Sequence, residues 1–256
     1  MRRVFIISFL FLSNLSFSQV MLLFEVETSD KNNMTTVAEN WFGALKEIIG
    51  DDNGITMHHK GWSSKTVYFF QWHDSMKDLA EAMEKQDSMN SQVMEYLGSN
   101  PIDPELFKEF NSISDPKQSS VWEYVPELSQ MDDYINLPLE ERNSMQYRRF
   151  SYINVAMNAD DAYINHQKKA YEFDQKLGVK YHVAVFKNVF GGKDADYLSI
   201  IIDKNRLEYM ENFKERMRLR RASPNWGKGL NPWDLSKYNT IRTDEVYKNL
   251  DFNTSK

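Results

Sequence analysis

The chain has 256 residues, with 31 Lys+Arg against 37 Asp+Glu and a formal net charge of -6. That balance argues against general affinity for nucleic acid or anionic membrane surfaces. There is no cysteine, which excludes disulfides, a thiol nucleophile and a lipidated cysteine, so packing alone must hold the fold.

Met1-Arg2-Arg3 precedes an almost wholly apolar run, Val4 to Leu12, and Ser16-Phe17-Ser18 follows. A basic start, a short apolar stretch and a small-x-small site are the layout of a secretory signal peptide, with cleavage expected after Ser18. The polar Ser13, Asn14, Ser16, Ser18 and Gln19 argue against a membrane span, which needs about 20 apolar residues. Removal takes away Arg2 and Arg3 and moves the charge from -6 to -8. The expected product is exported, periplasmic or extracellular, soluble, not a lipoprotein, and without an integral membrane segment once the signal is removed.

Val20 to Val26 reads as a buried strand. Thr36 and Glu39 have capping-box spacing, and Val37, Trp41, Leu45 and Ile48 follow at helical intervals up to Gly50. Asp51 to Gly54 is a turn. Ile55–Lys60 and Thr66–Trp72 are strands around Gly61 to Lys65, a hairpin. Asp74 is the expected cap of a second helix carrying Leu79, Ala80 and Met83. An insert, 98–120, with a short helix expected over Pro104–Phe110, leads to a closing strand, Val121–Val125. Pro126 to Met145 connects the halves, with a short helix expected from Pro138.

The order then repeats. Phe150–Val155 is a strand. Asn158 and Asp161 are candidate caps of a helix on which His166, Ala170, Phe173 and Leu177 share a face up to Gly178. Val179–Phe190 and Tyr197–Ile202 are strands around Gly191 to Asp194, and Asp203 is the expected cap of a helix with Leu207, Met210, Phe213 and Met217. A second insert, 223–236, precedes a strand over Tyr238–Val246. Gly50 matches Gly178 and Val67–Trp72 matches Tyr197–Ile202, an offset near 128–130. The chain thus reads as a signal (1–18), a first unit (19–128), a linker (129–145) and a second unit (146–256). The fold class is α+β, with two tandem βαββαβ, ferredoxin-like units.

This element order and internal repetition resemble the dimeric α/β-barrel superfamily in its tandem form. The resemblance implies that the two sheets pair, within one chain or between chains, so a homo-oligomer is compatible with it. The superfamily includes small monooxygenase-like proteins, stress-response proteins, and haem-binding peroxidase-like and chlorite-dismutase-like enzymes. A shared fold does not fix function.

Candidate chemistry centres on the histidines. His58 and His59 are adjacent on a strand and point to opposite faces, so they do not chelate one metal, and no metal site is expected. His166 stands where the first half has Ala38, on the stripe that faces the sheet. A helix histidine of the C-terminal unit ligates iron in the haem-binding branch, so the resemblance makes His166 a haem-ligand candidate. The chlorite enzymes also use a strand arginine, whereas Val179–Phe190 holds Lys180 and Lys187 but no arginine. The ordinary role for His166 is a core histidine hydrogen-bonded to a neighbour. His182 shares a strand face with Lys180, Ala184 and Phe186. With Tyr152 and Asn154 it forms a candidate ligand-binding set between the paired sheets: His166, His182, Tyr152, Asn154 and Phe186.

Lys214, Arg216, Arg218, Arg220 and Arg221 spread around a helix end, where positive charge is favourable in itself. Trp226 to Trp233 is an aromatic loop. No G-x-S-x-G, Walker A, G-x-G-x-x-G or H-E-x-x-H motif occurs. Three functions are compatible with these residues. The leading expectation is an exported protein that binds a small apolar or aromatic molecule in an aromatic-lined cavity. The second is an oxidoreductase of the same fold, cofactor-independent or haem-dependent, and the third is a cell-envelope interaction module built on the inserts. The second half is expected to hold the site.

Overall fold

The computed structural model describes residues 19–49, 55–61, 64–99, 114–191, 195–228 and 237–251. The expected signal peptide, the Asp51–Gly54 turn, the Pro104–Phe110 helix and Trp233 lie outside these residues.

Strand β1 (Val20–Thr28) is apolar without alternation because both of its faces are covered. Met21 and Leu23 point into one core, while Val20 and Leu22 join another with Leu79 of a covering helix. The same division holds around the molecule. Eight strands follow one another: β1, β2 (Ile55–Lys60), β3 (Thr66–His73), β4 (Ser114–Tyr124), β5 (Tyr147–Val155), β6 (His182–Gly191), β7 (Tyr197–Asp203) and β8 (Tyr238–Asp251). They close into one antiparallel barrel in the order β1-β3-β2-β8-β5-β7-β6-β4. Each half contributes the ferredoxin-like order, β4-β1-β3-β2 and β8-β5-β7-β6. Two seams join the halves: β2 pairs with β8, placing His59 opposite Tyr247, and β4 pairs with β6, placing Ser120 opposite Gly191. The barrel therefore closes within one chain and needs no strand from a partner.

Helices α1 (Lys31–Ile49) and α2 (Met76–Ser99) cover the first half's outer face, and α5 (Asp160–Lys176) and α6 (Arg206–Ala222) cover the second half's. Their starts differ from the expected caps. Asp30 caps α1, its Oδ1 accepting from the amides of Asn32 and Asn33 at 2.9 and 3.0 Å. The apolar periodicity thus begins a turn earlier, at Met34, and Thr36–Glu39 falls inside the helix. Ser75 rather than Asp74 caps α2: its Oγ accepts from the Asp78 amide and donates to the Asp78 carboxylate. Helix α2 continues to Ser99, past the expected start of the insert. Asn158 lies before α5 with φ 61, and the N-cap position, Ala159, makes no side-chain bond. Asn205 caps α6 by accepting from Glu208, while Asp203 accepts from Asn212 instead. Strand β6 begins three residues later than expected. Gly178, at φ +70, lets the chain leave α5, and the Val179 amide donates back to the Asp174 carbonyl. Strand β4 begins seven residues earlier than expected and pairs along all of β1. Pro116, which has no amide to donate, sits at the register shift opposite Val26.

The segment between the halves is packed against the barrel. Leu128 is buried beneath α5, and Gln130 exchanges backbone bonds with Val183 at 2.7 and 3.1 Å. Two short helices, α3 (Asp132–Ile135) and α4 (Leu139–Ser144), follow, and α4 starts after Pro138 as expected. Met131, Tyr134 and Leu137 lie against the barrel's interior cluster. No helix among the described residues is long and apolar enough to cross a membrane.

Candidate ligand-binding site

Alternate residues of each strand fill the barrel, and the two ends differ in chemistry. At one end the interior side chains form a closed ionic network. Arg242 meets Asp244 at 2.7 Å and Glu25 at 3.0 Å, and Lys60 meets Asp244 at 2.8 Å. The Tyr68 hydroxyl donates to Asp244, and the Arg242 guanidinium lies 4.2 Å from the Tyr152 ring centre. Little space remains there.

The other end holds a cavity of about 470 Å³. Phe70, Trp72, Phe150 and Phe186 make its aromatic wall, with Ile200 and Ile202 beside them. The rings brace one another: Phe70 meets Phe150 edge-on at 5.6 Å, and Trp72 lies 5.8 Å from Phe186. Met131, Tyr134, Ile135 and Leu139 from α3 and α4 and their flanks close over it. The polar lining is Gln19, Thr56, His58, Arg142, Asn143, Arg148 and Lys248, and Tyr124 also borders the cavity.

His58 is buried, its edge against the Phe70 ring at 4.7 Å. Its Nε2 pairs with Thr56 Oγ1 at 3.2 Å, and its Nδ1 has no hydrogen-bond partner among the described residues. Burial first, then the charges of Arg148 and Lys248, hold its pKa well below the ordinary 6.5, so the imidazole is neutral at neutral pH. Arg148 is buried as well, and its Nη1 donates to the carbonyls of Met145 and Tyr147 at 2.6 and 3.0 Å.

The five residues expected to form a ligand set fall in different places. Phe186 lines the cavity. His182 shares the inner face with Ala184 and Phe186, its ring lies 5.4 Å from that of Tyr134, and its buried Nδ1 has no hydrogen-bond partner among the described residues. Burial lowers its pKa, opposed by the charges of Asp133 and Glu141. Tyr152 is inside the barrel but belongs to the ionic end, against Arg242. Asn154 lies further along β5, opposite Asn239, and is not part of the cavity wall.

His166 lies outside the barrel, on α5, where its Nδ1 is hydrogen-bonded to the Tyr238 hydroxyl. The space between α5 and the sheet is occupied by Tyr163, whose ring centre is 4.5 Å from that of Tyr197 and 5.0 Å from that of Tyr238. These residues do not fit a haem: the imidazole nitrogen nearest the sheet is engaged by a phenol, and packed tyrosines stand where a macrocycle would go. Among the described residues no group of three His, Asp or Glu side chains is placed to hold a metal ion.

The cavity is built by both halves and the connecting segment, rather than by the second half alone. Sequence reasoning missed His58, Arg148 and the α3–α4 cover. The available signal was the period-2 pattern of Thr56-His58 beside Tyr68-Phe70-Trp72 and of Arg148-Phe150-Tyr152: polar and aromatic residues sharing the inner faces of neighbouring strands.

No family model matches the chain, and no curated protein matches it. Its fold is similar to those of solved structures, three of which follow. One is a candidate chlorite dismutase (TM-score 0.50, 9% identity, covering 92% of this chain and 96% of that one). Another is an anthrone oxidase-like protein (TM-score 0.52, 11% identity, 91% and 92% covered). The third is a candidate monooxygenase from Fusobacterium nucleatum subsp. nucleatum (TM-score 0.52, 10% identity, 91% and 94% covered). At these identities the likeness is one of fold. The chain has the dimeric α/β-barrel fold in tandem form, its two ferredoxin-like sheets closed into a single barrel.

Proposed function

We propose that the protein binds a small, largely aromatic molecule inside the barrel. The observation that carries this reading is the cavity of about 470 Å³, walled by Phe70, Trp72, Phe150 and Phe186 and bordered by the neutral imidazole of His58. Its size falls within the range of small-molecule sites, about 300–1,000 Å³. Trp72 in the wall supplies the assay. Naphthalene-based probes titrated into the full chain change tryptophan fluorescence saturably, and Phe186→Ala or Trp72→Ala alters that response. A flat titration across neutral and charged probes overturns the reading.

A second reading follows from His58. A neutral imidazole at the cavity wall, its Nδ1 without a hydrogen-bond partner among the described residues, is chemically suited to take a proton from an acidic C–H or O–H of the bound molecule. Dioxygen then serves as the electron acceptor of a cofactor-independent oxidation. The fold is shared with proteins described as anthrone oxidase-like and as a monooxygenase, which is consistent with this reading. Dioxygen uptake in the presence of an anthrone, abolished in His58→Ala, supports it. Binding of the same anthrone without uptake leaves binding alone.

The site is proposed to work outside the cytosol. The Arg2-Arg3 start, the Val4–Leu12 run and Ser16-Phe17-Ser18 support export. N-terminal sequencing of protein recovered from the producing cells tests this: a chain beginning at Gln19 supports it, and one beginning at Met1 overturns it.

A further inference from the structure

Strand β1 is paired from its first residue. Val20 is completely buried, opposite His73 on β3 and Glu123 on β4. One residue earlier the Gln19 carbonyl still accepts from the Tyr124 amide at 2.9 Å. Gln19 therefore lies between the ends of β3 and β4, and with Trp72 and Tyr124 of those strands it borders the cavity. It is partly exposed there. In the sequence the same residue directly follows Ser16-Phe17-Ser18, the small-x-small site at which cleavage is expected. The residue that export leaves at the N-terminus is thus a residue of the cavity border.

Glutamine has a reaction at a chain terminus that it lacks inside a chain. Its own α-amine stands within reach of its own side-chain amide, and closing a five-membered ring costs little entropy. The α-nitrogen attacks Cδ and the N–Cδ bond forms. The Cδ–Nε2 bond breaks, one proton passes from the amine to the departing nitrogen, and ammonia leaves. Nothing is oxidised or reduced, and no co-reactant is consumed. An α-amine with a pKa of about 7.7–8.0 is partly in its reactive, neutral form near pH 7. The ring uses the α-nitrogen and Cδ alone, so the Gln19 carbonyl keeps its bond to Tyr124 and β1 keeps its register.

Resting on the proposed export and binding, we infer that cleavage after Ser18 completes the binding site: Gln19 cyclises to pyroglutamate, and the neutral lactam becomes part of the cavity border. A free terminal ammonium at that place sets a charge at the edge of a space walled by Phe70, Trp72, Phe150 and Phe186, and covering it with a ligand costs desolvation. The lactam carries no charge, and its methylene groups present a compact apolar edge to a bound ring.

The test uses protein recovered from the producing cells, as the parent and as Gln19→Ser, which keeps a small residue at the cut but has no amide to cyclise. Tandem mass spectrometry of the parent's N-terminal peptide is expected to show a chain that begins at position 19 and is lighter by one ammonia. An uncyclised Gln19 overturns the inference and leaves export intact. A chain beginning at Met1, or at any position other than 19, overturns the cleavage reading and the inference with it. Calorimetric titration with 1-naphthalenemethanol then reads the role of the ring. Gln19→Ser is expected to bind it about fourfold more weakly, the contribution of one methylene group removed from water. Equal affinities overturn the lactam's place at the cavity border. Absence of binding by the parent overturns the cavity reading itself, whatever the mass of the N-terminal peptide.

Discussion

The Tyr68 hydroxyl donates to Asp244 Oδ2 at 2.8 Å, joining two residues 176 positions apart. It is an internal tie, spanning β2, between the first half and the last strand. Asp244 also receives Arg242 and Lys60; burial pushes its pKa up, but the hydrogen bonds and charges of Lys60, Arg242 and Tyr68 outweigh burial and leave it below the ordinary carboxylate value. Removing one member leaves charges buried without compensation. Asp244→Ala is expected to cost about 3–5 kcal/mol, because Lys60 loses its acid and Arg242 keeps only Glu25. Tyr68→Phe removes the hydroxyl's bonds to Asp244 and from Arg242 but leaves the Arg242–Asp244 pair, and is expected to cost about 1.5–3 kcal/mol. Urea unfolding of both variants checks the order; a larger loss for Tyr68→Phe contradicts this account of the network.

The second seam offers a backbone test. Gly191 has φ +70, and a Cβ there would lie 2.6 Å from the Ser119 carbonyl oxygen of the facing strand β4. Gly178 has the same φ with nothing within 4 Å of its would-be Cβ. Gly178→Ala should therefore show only the left-handed backbone penalty, about 1–2 kcal/mol. Gly191→Ala adds a clash with backbone that cannot rotate away, so it should lose clearly more stability and loosen the β4–β6 seam. Unfolding midpoints and amide exchange at Ser120 and Val121 measure the difference, and equal costs would show that the seam shifts freely.

The repeat was legible because each half carries its own apolar pattern and turn signals. Val20–Val26 reads as a buried strand and Tyr197–Ile202 as a strand, and Ile55–Lys60 has the expected bounds. Helix starts were less legible. Ser75, Asp30 and Asn205 each compete with a nearby Asp, Thr or Asn, and only three-dimensional placement decides which side chain reaches the free amides. The cavity was hardly legible at all. Its wall draws Thr56 and His58 from one half, Arg148 and Phe186 from the other, and Met131 and Leu139 from the connection. Comparing the halves draws attention to where they differ, such as His166 against Ala38, whereas this cavity depends on how they close on each other. His58 was set aside because its neighbour His59 faces away, although facing away is what leaves one imidazole alone inside an aromatic barrel.

The packing around His166 yields a prediction about haem. Nδ1 is bonded to Tyr238, and Tyr163, Tyr197 and Tyr238 fill the space beneath α5. Haemin added to the full chain is expected to give no absorbance change that depends on His166. Difference spectra of the parent and His166→Ala should superimpose. A Soret band present in the parent and lost in the variant would show that the tyrosine cluster opens to admit the macrocycle.

The histidines set the acid response. Burial pushes His58, His59, His73 and His182 below the ordinary 6.5. The unfolded chain therefore takes up protons near pH 6.5 while the folded chain does not, and stability falls as pH drops below that value. Asp203 works the other way. Burial raises it to about 6, so the folded state holds its proton longer than the unfolded chain, and its contribution is lost as pH rises toward 6. Four histidines against one carboxyl leave a net loss between pH 6.5 and 5.5, with little change between 7.5 and 6.5. His58 should contribute most, since it is fully enclosed and faces Arg148 and Lys248, with His59 adding a smaller opposing charge. Replacing it by a residue that does not titrate, His58→Leu, should flatten the decline in melting temperature across that window. At this chain length about 1 kcal/mol corresponds to about 2–4 °C, so the flattening is measurable by calorimetric scans at pH 7.5, 6.5 and 5.5. An unchanged slope in His58→Leu would place the acid sensitivity on the other histidines and show that the His58 imidazole is solvated in the folded protein.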